Sequence, residues 1–286
     1  MRKSTVTGLI ALMRPRQWVK NGFVLAPLVF SGAFLDSSAV FNVLMAVLLF
    51  CVASSATYIL NDIRDVEQDR KHPKKCKIRP LASGIVEFPQ AVSLLIALYG
   101  ILIAGYFFEP GVIYIILAYL LLNIAYTFGL KHQPVIDIFI IAIGFVLRVY
   151  AGAVAISVPV SAWMFATTFC LALFLAAIKR RQELALTDQS GRKVLEYYSV
   201  TLVERYAEMA ATGALIFYSL FVMSARPEMV ATIPFVLFGL FRYWFIVESQ
   251  DAGESPTDVL LSDWQLIITV VLWIVVAAWI TWPAPG

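Results

Sequence analysis

The chain has 286 residues, 60% of them hydrophobic and only 14% charged, with 20 Phe, 12 Tyr and 7 Trp. A mean hydropathy of +0.81 excludes a soluble globular domain and places the chain in the polytopic membrane class. The net charge of +3 is small and the basic residues are clustered, which removes nucleic acid as an expected partner. Cys51, Cys76 and Cys170 are scattered and form no C-x-x-C pair, so neither a disulfide framework nor a zinc site is suggested.

In chain order, the N-terminal MRKSTVTGLIALMRPRQWVKN is basic and its apolar run is broken by Arg14 and Pro15. It reads as an uncleaved amphipathic entry lying on the membrane surface. Nine apolar spans follow, at 21–35, 40–60, 89–108, 111–128, 134–156, 161–178, 203–223, 229–247 and 264–282. Most are near the ~20 residues that cross a hydrocarbon core of about 30 Å. The first is short, and Pro15 and Pro27 predict a kink in it. The expected architecture is all-α, one integral membrane domain over residues 1–286 with nine transmembrane helices.

Lys and Arg orient these spans. Five precede the first, seven follow the second, Lys131 follows the fourth and six follow the sixth, whereas the intervening loops hold only Arg226. The positive-inside rule then puts the N-terminus and the loops after even-numbered spans in the cytoplasm, in an inner (plasma) membrane. Arg148 and Arg242 lie inside spans, where a charge is costly enough to mark a functional site by default.

The densest charge is NDIRDVEQDRKHPKKCKIRP, Asn61 to Pro80, with four acidic and seven basic residues directly after an apolar run. If the second span stays helical past Leu60, Asp62, Asp65 and Asp69 fall at i, i+3 and i+7 on one face, bordered by Asn61. Stacked carboxylates repel, so a cation is their natural partner. Magnesium fits best, because it takes one or two carboxylates together with substrate phosphates. The basic tail Arg70, Lys71, Lys74, Lys75, Lys77 and Arg79 supplies charges for phosphate oxygens. A solvated loop that merely obeys the positive-inside rule explains the lysines but not the carboxylates.

Elsewhere the residues leave alternatives open. Lys131 and Asp137 bracket the entry to the fifth span, and Asp137 either binds a metal or donor hydroxyl or complements the helix dipole. Arg148 needs a phosphate or a structural carboxylate as partner. Arg14, Arg16 and Lys20, interleaved with Trp18, either anchor the first helix or bind a lipid phosphate. Lys179, Arg180 and Arg181 are topology charges or phosphate binders. His72 and His132 fall in loops and read as surface residues near basic neighbours.

Asn61, Asp62, Asp65 and Asp69 spell N-D-x-x-D-x-x-x-D, which resembles the first aspartate-rich motif of the UbiA superfamily of intramembrane transferases; R-P-L-x-S-G (Arg79 to Gly84) resembles it too. That resemblance implies nine helices around a cytoplasm-facing cavity. The chain departs at the second motif, D-x-x-x-D, where Asp137 is followed by Ile141 instead of an acid. This combination is similar to the decaprenyl-phosphate phosphoribosyltransferase branch. The likeness runs through R-P-R-Q-W-V-K-N (Arg14 to Asn21), L-K-x-x-P-V-x-D (Leu130 to Asp137), G-F-V-L-R (Gly144 to Arg148), K-R-x-x-E-L (Lys179 to Leu184) and a late acidic stretch reaching Asp263.

The resemblance implies transfer of 5-phosphoribose from phosphoribosyl pyrophosphate to a long-chain polyprenyl (decaprenyl) phosphate, releasing diphosphate, for arabinosyl-lipid and cell-envelope glycan precursors. The expected catalytic carboxylates are Asp62, Asp65 and Asp137, and the expected magnesium ligands Asp62, Asp65 and Asp69. The expected substrate contacts are Asn61, Lys20, Arg14, Lys71, Lys77, Arg79, Lys131, Arg148, Lys179 and Arg180. Two alternatives stand beside it: a UbiA-type prenyltransferase acting on an aromatic acceptor, and a secondary transporter, which predicts midplane acids. A homo-oligomer is compatible with the sequence, which does not specify one.

Overall fold

The computed structural model describes residues 5–73, 75–185, 193–249 and 256–282. Among them there is helix, turn and loop but no strand. Lys74, Arg192 and residues 250–255 of the late acidic stretch lie outside the described residues.

Among the described residues eight helical segments are long and apolar enough to cross a membrane: α3 (Ser37–Arg64), α6 (Phe88–Gly105), α7 (Pro110–Phe128), α8 (Ile136–Ala155), α9 (Ala162–Ala185), α10 (Val200–Ala225), α11 (Ile233–Ser249, preceded by a 3₁₀ turn, Pro227–Thr232) and α13 (Trp264–Thr281). The chain is a multi-pass membrane protein. Five short helices complete it: α1 (Thr5–Met13), α2 (Ala26–Ser31), α4 (Val66–Lys71), α5 (Lys75–Ile78) and α12 (Pro256–Ser262). Helix α3 has 28 residues, about 42 Å, some 12 Å more than the ~30 Å hydrocarbon core, so its last charged turn stands at the rim. Its start is fixed by Asp36, which accepts from the Ser38 N–H at 2.8 Å.

The first expected span is the one that differs. Residues 15–25 form 3₁₀ helix, Ala26–Ser31 a single short α-helix, and Gly32 then breaks the run at φ 75°. Tertiary contacts explain the break. The Val24 carbonyl lies where a Cβ on Gly152 of α8 would be, 1.9 Å away, so the two backbones touch. Buried Asn21 donates to Ser54 Oγ at 3.2 Å, and Trp18 Nε1 donates to Ser55 Oγ at 3.0 Å, both on α3. Pro15 at the first helical position and Pro27 in α2 remove two further N–H donors. The segment is wedged between α3 and α8 by its polar contacts, and tighter winding lets it keep all of them.

Helix α1 packs its apolar side on the end of α3 and on Leu81 and Val86. Two larger cores form the body. One joins α3, α6, α7 and α8 around Phe50, Ile116 and Tyr119; the other joins α9, α10, α11 and α13 around Phe174, Ile178 and Tyr243. Helices α3 and α8 are the most enclosed of the spans, because α3 packs on α1, α6, α7, α8 and residues 15–25, and α8 on α2, α3, α7, α9 and the same residues; both also reach the cavity between the two cores.

Candidate active site

That cavity has a volume of about 320 Å³ and opens at the charged end of the bundle. Its walls come from residues 14–23, α3, Arg79 in the turn after α5, α7, α8, α9 and, through Leu260, α12. Arg14, Lys20, Arg79, Arg148 and Lys179 contribute to the lining, with Asn61 beside them, and among the described residues no carboxylate does.

The carboxylates lie behind the cations. Asp62, 2% exposed, accepts from Arg14 Nη2 at 2.5 Å and from Arg79 Nη1. Arg79 Nη1 also lies 3.0 Å from Asp69 Oδ2, without hydrogen-bond geometry, so that buried oxygen keeps an unused acceptor site. Lys75 approaches the other oxygen at 3.7 Å. Asp65 does not join them. The α3 helix ends there at φ −96°, ψ 7° and restarts as α4, and the bend sends the Asp65 carboxylate to Lys131 Nζ, at 3.0 and 3.1 Å. The expected single carboxylate face is therefore split, and among the described residues no group of three His, Cys, Asp or Glu converges as a metal cluster. Asp62 and Asp69, brought to one guanidinium with one oxygen unused, fit magnesium only as a two-carboxylate site completed by other oxygens, which is the way this ion is commonly held.

Arg148 sits deep in the cavity, 5% exposed. Its Nε donates to Asn21 Oδ1 at 2.9 Å, Nη1 to the Gly144 carbonyl at 2.7 Å and Nη2 to Tyr119 Oη at 3.2 Å. The rings of Phe50, Tyr119 and Phe145 surround it at 4.9–5.7 Å. Among the described residues no carboxylate pairs with it, so the structural carboxylate that the sequence left open is absent. Lys20, just ahead of the apolar run of the first segment, is near enough to feel that charge. Burial, then the charges of Arg148 and Arg14, lower its ammonium to about 8, against the opposing pull of Asp258.

Four expected site residues lie away from the cavity wall. Asp137 and Arg180, expected as catalytic and substrate-binding, are both buried outside the cavity wall. Asp137 accepts from Arg180 Nε at 2.6 Å and from Tyr198 Oη at 2.7 Å, while Arg180 also donates to Glu183 at 2.7 Å and Tyr126 Oη at 3.3 Å. Both groups are consumed by one network tying α8 to α9. Lys71 and Lys77 are exposed on the connection after α3 and do not reach the cavity. Arg242, inside α11, bonds Asp263 at 2.7 and 3.2 Å, and Asp263 caps α13 by accepting from the Leu266 N–H. Those bonds hold the Asp263 carboxyl below its usual range, and the pair joins two helices.

Two features escaped the sequence reading. Tyr119, Asn123, Tyr126 and Thr127 form a polar stripe on α7 and line the cavity; their spacing of i, i+4, i+7 and i+8 in an otherwise apolar helix was the available signal. Tyr198 is the other. Its hydroxyl accepts from the Val135 N–H at 2.6 Å while donating to Asp137. Burial, opposed by the Val135 bond and assisted by Asp137, raises its phenol well above the usual range. Val135 has φ 68°, a left-handed conformation costly for a β-branched residue, and Tyr198 holds it there.

The UbiA prenyltransferase family profile matches residues 24–259. A decaprenyl-phosphate phosphoribosyltransferase from Mycolicibacterium smegmatis is 39% identical over 75% of this chain and 70% of its own length. One of the same name from Corynebacterium glutamicum is 36% identical over 95% and 86%. Among solved structures, a UbiA homolog from Archaeoglobus fulgidus bound to GPP and Mg2+ superposes with a TM-score of 0.74 at 20% identity, covering 96% of this chain and 99% of that one, a likeness of fold. A cation-lined cavity between two helical halves, in a chain matched by this profile over most of its length, leads to one conclusion: the protein belongs to the UbiA prenyltransferase family.

Proposed function

We propose that the cavity transfers 5-phosphoribose from phosphoribosyl pyrophosphate to a polyprenyl phosphate. The observation that carries this reading is the lining, five cationic side chains and, among the described residues, no carboxylate, which suits two substrates bearing several phosphates between them. The names of the 36–39% identical relatives support the same reaction. In it an oxygen of the lipid phosphate attacks the anomeric carbon, the bond from that carbon to diphosphate breaks, and diphosphate departs. The attacking oxygen is already anionic near neutral pH, so no side chain has to remove a proton. This agrees with the absence of histidine from the cavity wall.

Arg79 and Arg14, held on Asp62, orient the donor's phosphates at the rim, while Asn61 and the α7 stripe offer hydroxyl and amide partners to the pentose. Magnesium, held by Asp62 and Asp69 together with phosphate oxygens, would supply charge neutralisation for the leaving diphosphate. Lys131 neutralises Asp65 and keeps a third negative charge from facing the donor. Ile141 lines the cavity where a prenyltransferase of this family type has a second acid, which disfavours the prenyl diphosphate reading. The positive-inside distribution of Lys and Arg supports a cytoplasmic mouth.

The test is purified protein with magnesium, labelled phosphoribosyl pyrophosphate and polyprenyl phosphates of several lengths. Labelled lipid is expected, and Asp62→Asn lowers its rate on the order of 10²-fold or more while the helical spectrum is kept. Absence of labelled lipid at every length, with label from a prenyl diphosphate appearing in an aromatic acceptor, would replace this reading by the prenyltransferase one.

A further inference from the structure

We infer that Lys20 and Arg148 together form the seat of the acceptor's phosphate monoester, separate from the donor's diphosphate site at Asp62, Asp69 and Arg79. The inference rests on the functional reading above and assigns one of its two substrates to named residues.

The argument begins with the donors of Arg148. A guanidinium carries five N–H groups. Three are used, on Asn21, Gly144 and Tyr119, all neutral. Two remain on a charge that is 5% exposed and lines the cavity without a carboxylate partner among the described residues. A buried cation held only by neutral groups is costly unless an anion arrives. Lys20 adds a second cation to the same wall, and the mutual repulsion of the pair is a cost that one phosphate relieves for both. Arg14 and Arg79 differ in kind, because they already share Asp62.

The surroundings decide which phosphate binds here. Phe23, three residues beyond Lys20, meets Phe145, three residues before Arg148, edge to face at 5.0 Å. Ile141 and Leu175 continue that apolar wall. A ligand bound to this pair thus has an anionic head on two cations and an apolar surface beside it, the chemistry of a lipid phosphate. The pentose of the donor carries hydroxyl groups, for which the α7 stripe is the suitable wall. The same cations would also attract free inorganic phosphate, so the experiment separates the two sources.

The full-length protein in nanodiscs is titrated with farnesyl phosphate, farnesol, inorganic phosphate and phosphoribosyl pyrophosphate, and KM is measured for each substrate. Lys20→Met weakens farnesyl phosphate binding and raises the KM for polyprenyl phosphate by about tenfold, the loss of one charge-assisted bond. The KM for phosphoribosyl pyrophosphate stays within about twofold on the same principle. Arg148→Lys, which keeps the buried charge, gives a second reading of the same split. Farnesyl phosphate binding far tighter than that of both farnesol and inorganic phosphate supports a lipid-phosphate seat; equal binding of farnesyl phosphate and inorganic phosphate reduces it to a general anion site and overturns the assignment. A raised KM for the donor alone, or unchanged values for both substrates, also overturns it. Because binding is read without turnover, wild-type protein that binds farnesyl phosphate through Lys20 but makes no labelled lipid would count against the reaction and not against the seat.

Discussion

An ammonium group beside two guanidinium groups in a partly buried wall gives up its proton more readily than one in water, and Lys20 shows this with a value near 8 against the usual 10.5. Charged Lys20 predominates below pH 8 and declines above it. The KM for the lipid phosphate is therefore expected to be level up to about pH 8 and to rise beyond, and Lys20→Arg, whose guanidinium stays charged, flattens that rise. A steady-state profile between pH 7 and 10 checks both; an identical rise in Lys20→Arg would assign it to another group. The stability sign is opposite. Between about pH 8 and 10.5 the unfolded chain binds more protons at this position than the folded one, so this group makes the unliganded protein more stable as pH rises through that window. Burial drives the shift first and the two arginines add to it, while Asp258 opposes it, so removing any of these charges moves the window in a predictable direction.

At the scale of elements, two junctions carry the site. One is the contact of the 3₁₀ segment with α8. A methyl on Gly152 would meet the Val24 carbonyl oxygen at 1.9 Å and Pro27 at 3.3 Å, and neither can retreat into open space. Gly152→Ala is expected to destabilise by about 3 kcal/mol or more, at the upper end for overpacking, and to displace Asn21 from Arg148; thermal unfolding in detergent measures the first effect and lipid-phosphate binding the second. The other junction is the hydroxyl of Tyr198, which fixes Val135 and Asp137 at the head of α8 and through that turn places Lys131 on Asp65. Tyr198→Phe should raise the KM for phosphoribosyl pyrophosphate about three- to tenfold, as for one lost hydrogen bond. In a Lys131→Met background it should have little further effect, since groups acting through one contact are not additive; full additivity would reduce Tyr198 to general stability.

Over the whole molecule, the eight long helices were legible because hydropathy alone dictates where a chain can cross a bilayer. The broken first segment was not, because its winding is set by α3 and α8, distant in sequence, through Ser54 and Gly152. Of the cavity's cations only Arg148 was legible as a charge at membrane depth; Arg14, Lys20, Arg79 and Lys179 were legible as basic clusters at the ends of spans, and all five line it. Asp137 misled because a carboxylate beside a known motif gives no sign that its partner, Arg180, waits 43 residues later. The α7 stripe was missed because single polar residues in an apolar helix look unremarkable until their spacing is counted. The orientation inferred from Lys and Arg predicts that, in cells and with Cys76 replaced, Lys77→Cys reacts with an impermeant thiol reagent only from the cytoplasmic side and Phe108→Cys only from the opposite one.

The ring of helices is closed by a contact between its first and last members. Thr281 of α13 donates its hydroxyl to the Val29 carbonyl at 3.1 Å, and Gly32, at φ 75°, lies so near that a Cβ would be 2.7 Å from the Thr281 carbonyl oxygen. Leu260, just before α13, completes the cavity wall. During synthesis, then, the segment bearing Arg14 and Lys20 precedes α3 and α8, on which it packs, but waits for nearly the entire remaining chain before Val29 and Gly32 gain their last neighbour, Thr281. Until α13 has left the translocon, the early cations face an open flank, and nascent chains halted before α12 are expected to hold neither substrate.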